Sequence, residues 1–209
     1  MLEISAFCGG FCSTNGYLVR NPENGQRILV DAPLGISEWV KSQGAKPDAL
    51  FLTHQHFDHV EDAGLLVKEF GFKVFAWSAV SGDLTLEKWA AEAGVIDKIE
   101  PFEVDHVLEN DGEAVTVEIA GLTLKLLHVP GHSPDSVCFY DTDSGVMFVG
   151  DVLMCGGYGR TDLPHGNAQD LFQGIREKLW PLPDTTNVLS GHGPPTTIGA
   201  EKGNGLIPV

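Results

Sequence analysis

Hydrophobic and polar positions change period along the chain, and those changes mark out its elements. Tyr17-Leu18-Val19 and Arg27-Ile28-Leu29-Val30 are short apolar runs on either side of Asn21-Pro22-Glu23-Asn24-Gly25, which predicts two strands and a turn. Ile36, Trp39 and Val40 share a face at helical spacing. Ala49-Leu50-Phe51-Leu52 is a continuous apolar run, the pattern of a buried strand. Ala63, Leu66, Val67 and Phe70 then repeat at i, i+3, i+4, i+7, with Gly71 placed to end the helix and Lys73-Val74-Phe75-Ala76 as the next strand. Leu86, Trp89, Ala90 and Ala93 predict a further helix that ends at Gly94.

In the second half the period falls to two. Val115–Ile119 and Leu122–Val129 alternate around Ala120-Gly121, and Ser136–Tyr140 and Gly145–Val149 flank Asp141-Thr142-Asp143-Ser144, which predicts two hairpins. A last helix is expected from Asn167, with Phe172, Ile175 and Leu179 turned inward, followed by a short strand at Asn187–Leu189. Meanders mixed with strand–helix alternation indicate a mixed α/β chain of sheets covered by helices. No Pro/Ser-rich linker interrupts it, so a single domain over residues 1–209 is expected.

Composition narrows the function. The net charge of −16 disfavours nucleic acid and anionic membranes, both of which need cationic groups. No run approaches the ~18 consecutive apolar residues of a membrane span. Met1-Leu2-Glu3-Ile4 lacks the basic and apolar regions of a secretory signal, so a cytoplasmic location is expected. Cys8, Cys12, Cys138 and Cys155 are too few and scattered for a disulfide framework and are read as buried, reduced thiols. Cys155 follows Asp151 by four positions, which places it near the candidate site described next. The expected partner is a small molecule, with the protein a monomer or a homodimer.

The densest chemistry is Thr53-His54-Gln55-His56-Phe57-Asp58-His59, directly after an apolar strand. Folding alone gives no reason to set three imidazoles and a carboxylate in six residues. His54 and His56, at i and i+2 of an extended segment, leave from one face. Asp58 and His59 are adjacent, so the chain must turn for both to point the same way. Asp58 also has capping-box spacing with Glu61, an alternative use for its carboxylate. Comparing strand ends extends the pattern. Runs ending near Val30, Leu52, Val129, Val149 and Leu189 deliver Asp31, His54, His132, Asp151 and His192 respectively. Open α/β sheets bind ligands outside such strand ends. Imidazole and carboxylate together suit zinc, iron or manganese, and the two oxygens of Asp151 allow it to bridge a pair of ions.

With H-x-H-x-D-H, Pro130-Gly131-His132-Ser133, Gly150-Asp151, Gly191-His192-Gly193 and Gly159-Arg160-Thr161-Asp162-Leu163-Pro164 in this order, the chain resembles the metallo-β-lactamase superfamily, in particular its glyoxalase II-like hydrolases. The resemblance implies a four-layer αββα sandwich. It also implies two divalent ions, zinc first with iron or manganese as alternatives. His54, His56 and His132 would hold one ion and Asp58, His59 and His192 the other, with Asp151 bridging. Asp31 would orient ligands from outside the shell. Asp58 and Asp151 are the catalytic candidates, and Arg160 is the candidate for a substrate carboxylate, with an ion pair to Asp162 as its other reading. His128 is expected to pack or orient, and His106 and His165 to be ordinary.

The implied reaction is hydrolysis of an acyl thioester such as S-D-lactoylglutathione. The chain runs only to Val209 after His192, so the helical C-terminal extension of full-length glyoxalase II is not expected. The main rival is a persulfide dioxygenase with one iron on His54, His132 and Asp151. Phe57 leans towards the hydrolase, because dioxygenases tend to carry a small residue there. Lactone or β-lactam hydrolysis and a non-catalytic metal-binding module rank lower.

Overall fold

The computed structural model describes residues 1–44, 46–109 and 115–207. The chain divides into two compact units, Met1–Glu109 and Asn110–Val209.

The first unit is built on a six-stranded sheet in the order β1 (Glu3–Gly9), β2 (Thr14–Arg20), β3 (Arg27–Val30), β4 (Ala49–Phe51), β5 (Lys73–Ala76), β6 (His106–Val107). β1 to β3 are antiparallel, and β3 to β6 are parallel. Parallel neighbours need crossover connections. Here α1 (Ile36–Ser42) joins β3 to β4, and α2 (Phe57–Val60) and α3 (Ala63–Phe70) join β4 to β5. Leu18, Leu29, Leu50 and Val74 face a core that also takes Ile36, Val40, Phe57, Val60, Ala63 and Leu66 from the helices. Val19, Ile28, Val30 and Phe51, on the other face of the same strands, are buried too. Burial on both faces explains why β4 reads as an unbroken apolar run rather than as an alternating one.

The second unit carries another six-stranded sheet in the order β12 (Thr196–Thr197), β11 (Asn187–Ser190), β10 (Val146–Gly150), β9 (Val137–Asp141), β8 (Leu122–His128), β7 (Thr116–Ile119). β10 and β11 are parallel and the other pairs antiparallel. The core joins Cys138, Met147, Val149 and Val188 to Leu171, Ile175 and Leu179. Those last three come from α6 (Ala168–Gly174) and the π-helical turn Ile175–Leu179 that continues it. Asn167 caps α6 by accepting from the backbone N–H of Gln169 and Asp170.

The expected strands and the helices at 36–42, 63–70 and 168–179 are present. The expected helix over Leu86–Ala93 is present as α5 (Glu87–Glu92), and a short α4 (Gly82–Thr85) that was not expected precedes it, with Leu86 between them at a left-handed φ of 53°. Leu86 and Ala90 are buried, but Trp89 is 42% exposed and does not belong to the apolar face. β1 escaped the sequence pattern because it is an edge strand with no fully buried residue. α7 (Ile198–Gly203) was also not expected. The thiols depart from expectation: Cys138 is buried, Cys12 partly so, and Cys8 and Cys155 are exposed.

Candidate metal centre

In the first unit β4 ends at Phe51, and the chain bends at Thr53 and runs on to His56 before α2 turns it. That turn brings Asp58 and His59 to the same side. Ligand atoms of His54 and His56, of His54 and His59, and of Asp58 and His59 lie within 4.8 Å of each other. The imidazole rings crowd together, with centroids 4.7 Å apart for His54 and His56 and 4.1 Å for His54 and His59. All three rings and Asp58 are buried.

Asp31 organises this group. It sits just past β3 in the left-handed region (φ 60°), where its short side chain folds back towards the neighbouring strand end. Oδ1 accepts from the Thr53 N–H at 2.8 Å, and Oδ2 accepts from the Thr53 hydroxyl and from His59 Nδ1, each at 2.8 Å. The proton of His59 is thereby held on Nδ1, and Nε2 is left as a donor of electrons. The Thr53 hydroxyl lies 3.2 Å from His54 Nδ1. Since that hydroxyl donates to Asp31, it can only accept from His54, which again leaves Nε2 as the coordinating nitrogen. Asp58 is not a helix cap: its Oδ2 accepts from the Thr14 hydroxyl at 2.7 Å. Asp62, which precedes α3, makes no side-chain cap bond to it and instead accepts from Gly35 N–H and Ser37 N–H at the start of α1. Gln55 points away and donates to Ser78 and Ala79.

In the second unit three strand ends contribute. Gly131, at φ 131°, lets the chain pass the start of α6, where a Cβ would stand 2.4 Å from Leu171 N. His132 follows, donating from Nδ1 to the Arg160 carbonyl at 2.7 Å. β10 and β11 are parallel neighbours, and Gly191 N–H donates to Gly150 O at 2.7 Å across their ends. Asp151 and His192 therefore leave from adjacent strands at the same edge. Asp151 Oδ2 lies 3.5 Å from His132 Nε2 and 3.3 Å from His192 Nε2. Gly159 fits against them only because it lacks a side chain: a Cβ there would be 2.0 Å from Asp151 O and 2.8 Å from His132 Nδ1.

The separations suit coordination better than hydrogen bonding. In the first unit His59 Nε2 is 3.6 Å from Asp58 Oδ2, close to the spacing of the pairs on Asp151. Two ligands on one tetrahedral ion, with bonds of about 2.0–2.2 Å, stand roughly 3.4 Å apart. Nitrogen and carboxylate oxygen are the donors that zinc, iron and manganese take. The first unit's charge points the same way: burial, and then the charges of Asp58 and Asp62, push the Glu61 carboxyl up to about 7. A cation beside Asp58 relieves that crowding. The residues present fit divalent metal ions.

Residues 9–192 match the metallo-beta-lactamase superfamily. The chain belongs to the metallo-β-lactamase superfamily. Among its relatives, the probable metallo-hydrolase YqgX of Bacillus subtilis is 38% identical over 80% of this chain and 78% of its own length. The hydroxyacylglutathione hydrolase GloC of Haemophilus influenzae is 39% identical over 73% of this chain and 72% of its own. The crystal structure of the BLEG-1 B3 metallo-beta-lactamase superposes with a TM-score of 0.83 at 31% identity, covering 97% of each chain. That of TTHA1623 in a di-iron-bound form gives 0.79 at 33% identity, covering 95% of this chain and 96% of the other. The fold is thus the α/β metallo-β-lactamase fold, with two mixed sheets and their helices, as the motifs implied. Among the described residues no helix is long and apolar enough to cross a membrane.

The remaining candidates separate clearly within this superfamily member. Arg160 pairs bidentately with Asp162 at 2.8 and 2.7 Å and holds the Asp162 carboxyl down to about 2. Its carbonyl, not its side chain, meets His132. His128 Nε2 contacts the Pro134 carbonyl at 2.7 Å, and His106 stacks on Phe75. Cys155 is exposed at the turn between Asp151 and Gly159. Phe57 packs into the first core. Sequence reading missed Thr14, the hydroxyl on Asp58, and the reason for Gly159. Thr14 carries no motif signal, whereas Gly159 was visible inside a quoted motif without its steric meaning.

Proposed function

We propose that the protein is a binuclear metallohydrolase acting on acyl thioesters such as S-D-lactoylglutathione. His54, His56 and His132 would hold one divalent ion and Asp58, His59 and His192 the other, with Asp151 shared between them. The observation that carries the reading is the donor geometry: each histidine fixed through Nδ1 turns Nε2 towards the candidate site, and two of them face carboxylate oxygens at 3.5 and 3.6 Å. The 39% identity to the GloC hydrolase supports the thioester as substrate class. Zinc is the first choice of metal. The di-iron form of TTHA1623 supports iron as an alternative.

Bound ions would supply a water ionised near neutral pH and a Lewis acid for the substrate carbonyl. The chain's own residues do the rest. Asp31 and the Arg160 carbonyl keep protons on the Nδ1 atoms of His59 and His132, which leaves the lone pair on each Nε2 and makes it a stronger donor to a metal. The Thr14 hydroxyl takes up one lone pair of Asp58 Oδ2 and fixes that carboxylate, which can orient the attacking water. A thiolate leaves readily, so no strong general acid is called for. Asp162 takes the Nε–Nη2 edge of Arg160, so a substrate carboxylate would meet the Nη1 side of the guanidinium or displace Asp162.

The second reading is a persulfide dioxygenase with a single iron on His54, His132 and Asp151, which the Gly159–Asp162 segment resembles. One experiment separates the two: metal analysis, then S-D-lactoylglutathione, lactone and β-lactam hydrolysis assayed beside persulfide-dependent oxygen uptake. Two metals per chain with thioester turnover, lost on chelation and restored by zinc, is the expected result. One iron with oxygen uptake and no hydrolysis would overturn it.

A further inference from the structure

The last helix contains a buried acid that the proposed chemistry does not use. Glu201, in α7, is only 4% exposed. A carboxylate buried this deeply is costly unless its oxygens are satisfied. Its Oε1 accepts from the Thr196 hydroxyl, and its Oε2 accepts from Asn204 Nδ2 and, at 3.0 Å, from the backbone N–H of Gly156. The first two donors are local to α7. The third lies 45 residues away in sequence, in the segment between Asp151 and Arg160.

That segment is a tight turn. Met154 and Gly157 exchange both backbone hydrogen bonds, at 2.9 and 3.1 Å, with Cys155 and Gly156 at the tip and Gly156 at φ 71°. Val152 and Leu153 anchor its entry in the core. Its exit delivers Gly159 against Asp151 and the Arg160 carbonyl onto His132 Nδ1. Met154, Cys155, Gly156 and Tyr158 are not fully buried, so packing alone does not fix the tip.

We propose that Glu201 is a positioning residue: by holding Gly156 it sets the turn that places the Arg160 carbonyl on His132 and Gly159 against Asp151. This rests on the metal-centre reading for its functional consequence, but not for its structural one. The Thr196 hydroxyl can turn to accept instead of donate. A glutamine at 201 could therefore keep its carbonyl on Gly156 and Asn204 and give its amide to Thr196. An alanine could do none of this.

The test uses the full chain with Glu201→Ala and Glu201→Gln, read by amide hydrogen exchange on the metal-free protein and by zinc competition with a chromogenic chelator. For Glu201→Ala, exchange across residues 154–160 is expected to rise at least tenfold, with β9 and β10 unchanged. Zinc affinity is expected to fall about tenfold, the lower end for lost outer support of a ligand. Glu201→Gln should stay close to wild type in both. The inference is overturned if Glu201→Ala loosens the whole second unit evenly, if the 154–160 amides keep their protection, or if the glutamine variant behaves like the alanine. It is also overturned if exchange rises locally while zinc affinity holds. Should the wild-type chain take up no zinc, the metal reading itself fails, and the exchange data still decide whether Glu201 holds the turn.

Discussion

The two units present their candidate ligands by different means. In the first, four ligands come from one stretch of six residues, and side chains orient them: Asp31 on His59 and Thr53, Thr14 on Asp58. In the second, three ligands come from three strand ends, and the backbone does much of the orienting. The Arg160 carbonyl holds His132, Gly159 makes room, and Gly191 ties the Asp151 and His192 strands together. A side-chain support can be removed by truncation, whereas a backbone support can be removed only by crowding or by moving the chain. The two groups should therefore fail under different substitutions.

Removing a ligand should be the most damaging change in either unit. Asp151→Ala and His54→Ala are each expected to reduce metal-dependent thioester turnover by on the order of a hundredfold to a thousandfold, the usual loss for one electrostatic group in a site. Activity measured at fixed metal content checks this, and near-normal turnover in either variant would break the comparison at its base. Next come the supports. Asp31→Ala should weaken metal binding by roughly tenfold to a hundredfold, measured by chelator competition. Gly159→Ala should do similar damage through the added methyl group, with a Cβ only 2.0 Å from Asp151 O. If Gly159→Ala binds metal normally, the second unit is not supported through that close approach.

The smallest effect sharpens the contrast most. Arg160→Ala removes the pair with Asp162 but leaves the carbonyl on His132, so metal affinity should stay within about twofold of wild type. If Arg160 meets a substrate carboxylate, the same variant raises KM for carboxylate-bearing thioesters and leaves uncharged ones alone. Steady-state kinetics on a matched pair of substrates decides between the two roles.

This difference also explains what the sequence disclosed. Thr53–His59 was conspicuous because its ligands are contiguous and follow an apolar strand. His132, Asp151 and His192 became visible only when strand ends were compared. Strand positions were readable where both faces are buried, as in β4, and unreadable in β1, whose side chains leave no apolar alternation. Backbone contributions leave almost no residue signature: any amino acid has the carbonyl that Arg160 lends to His132. Trp89 and the thiols of Cys8 and Cys155 misled in another way, since residue types usually found inside lie exposed here.

Asp31 has a further consequence, for how the ions arrive. It fixes His59 by hydrogen bonds within the protein, at the end of a strand already locked into a sheet. In small zinc-folded domains, by contrast, the chain is disordered until the ion binds, and loading is part of folding. Here the bonds from Asp31 to His59 and Thr53 are made within the protein and need no ion to orient those side chains. Loading is then expected to be uncoupled from folding: a chelator-treated chain should keep its secondary structure, which circular dichroism before and after metal removal checks.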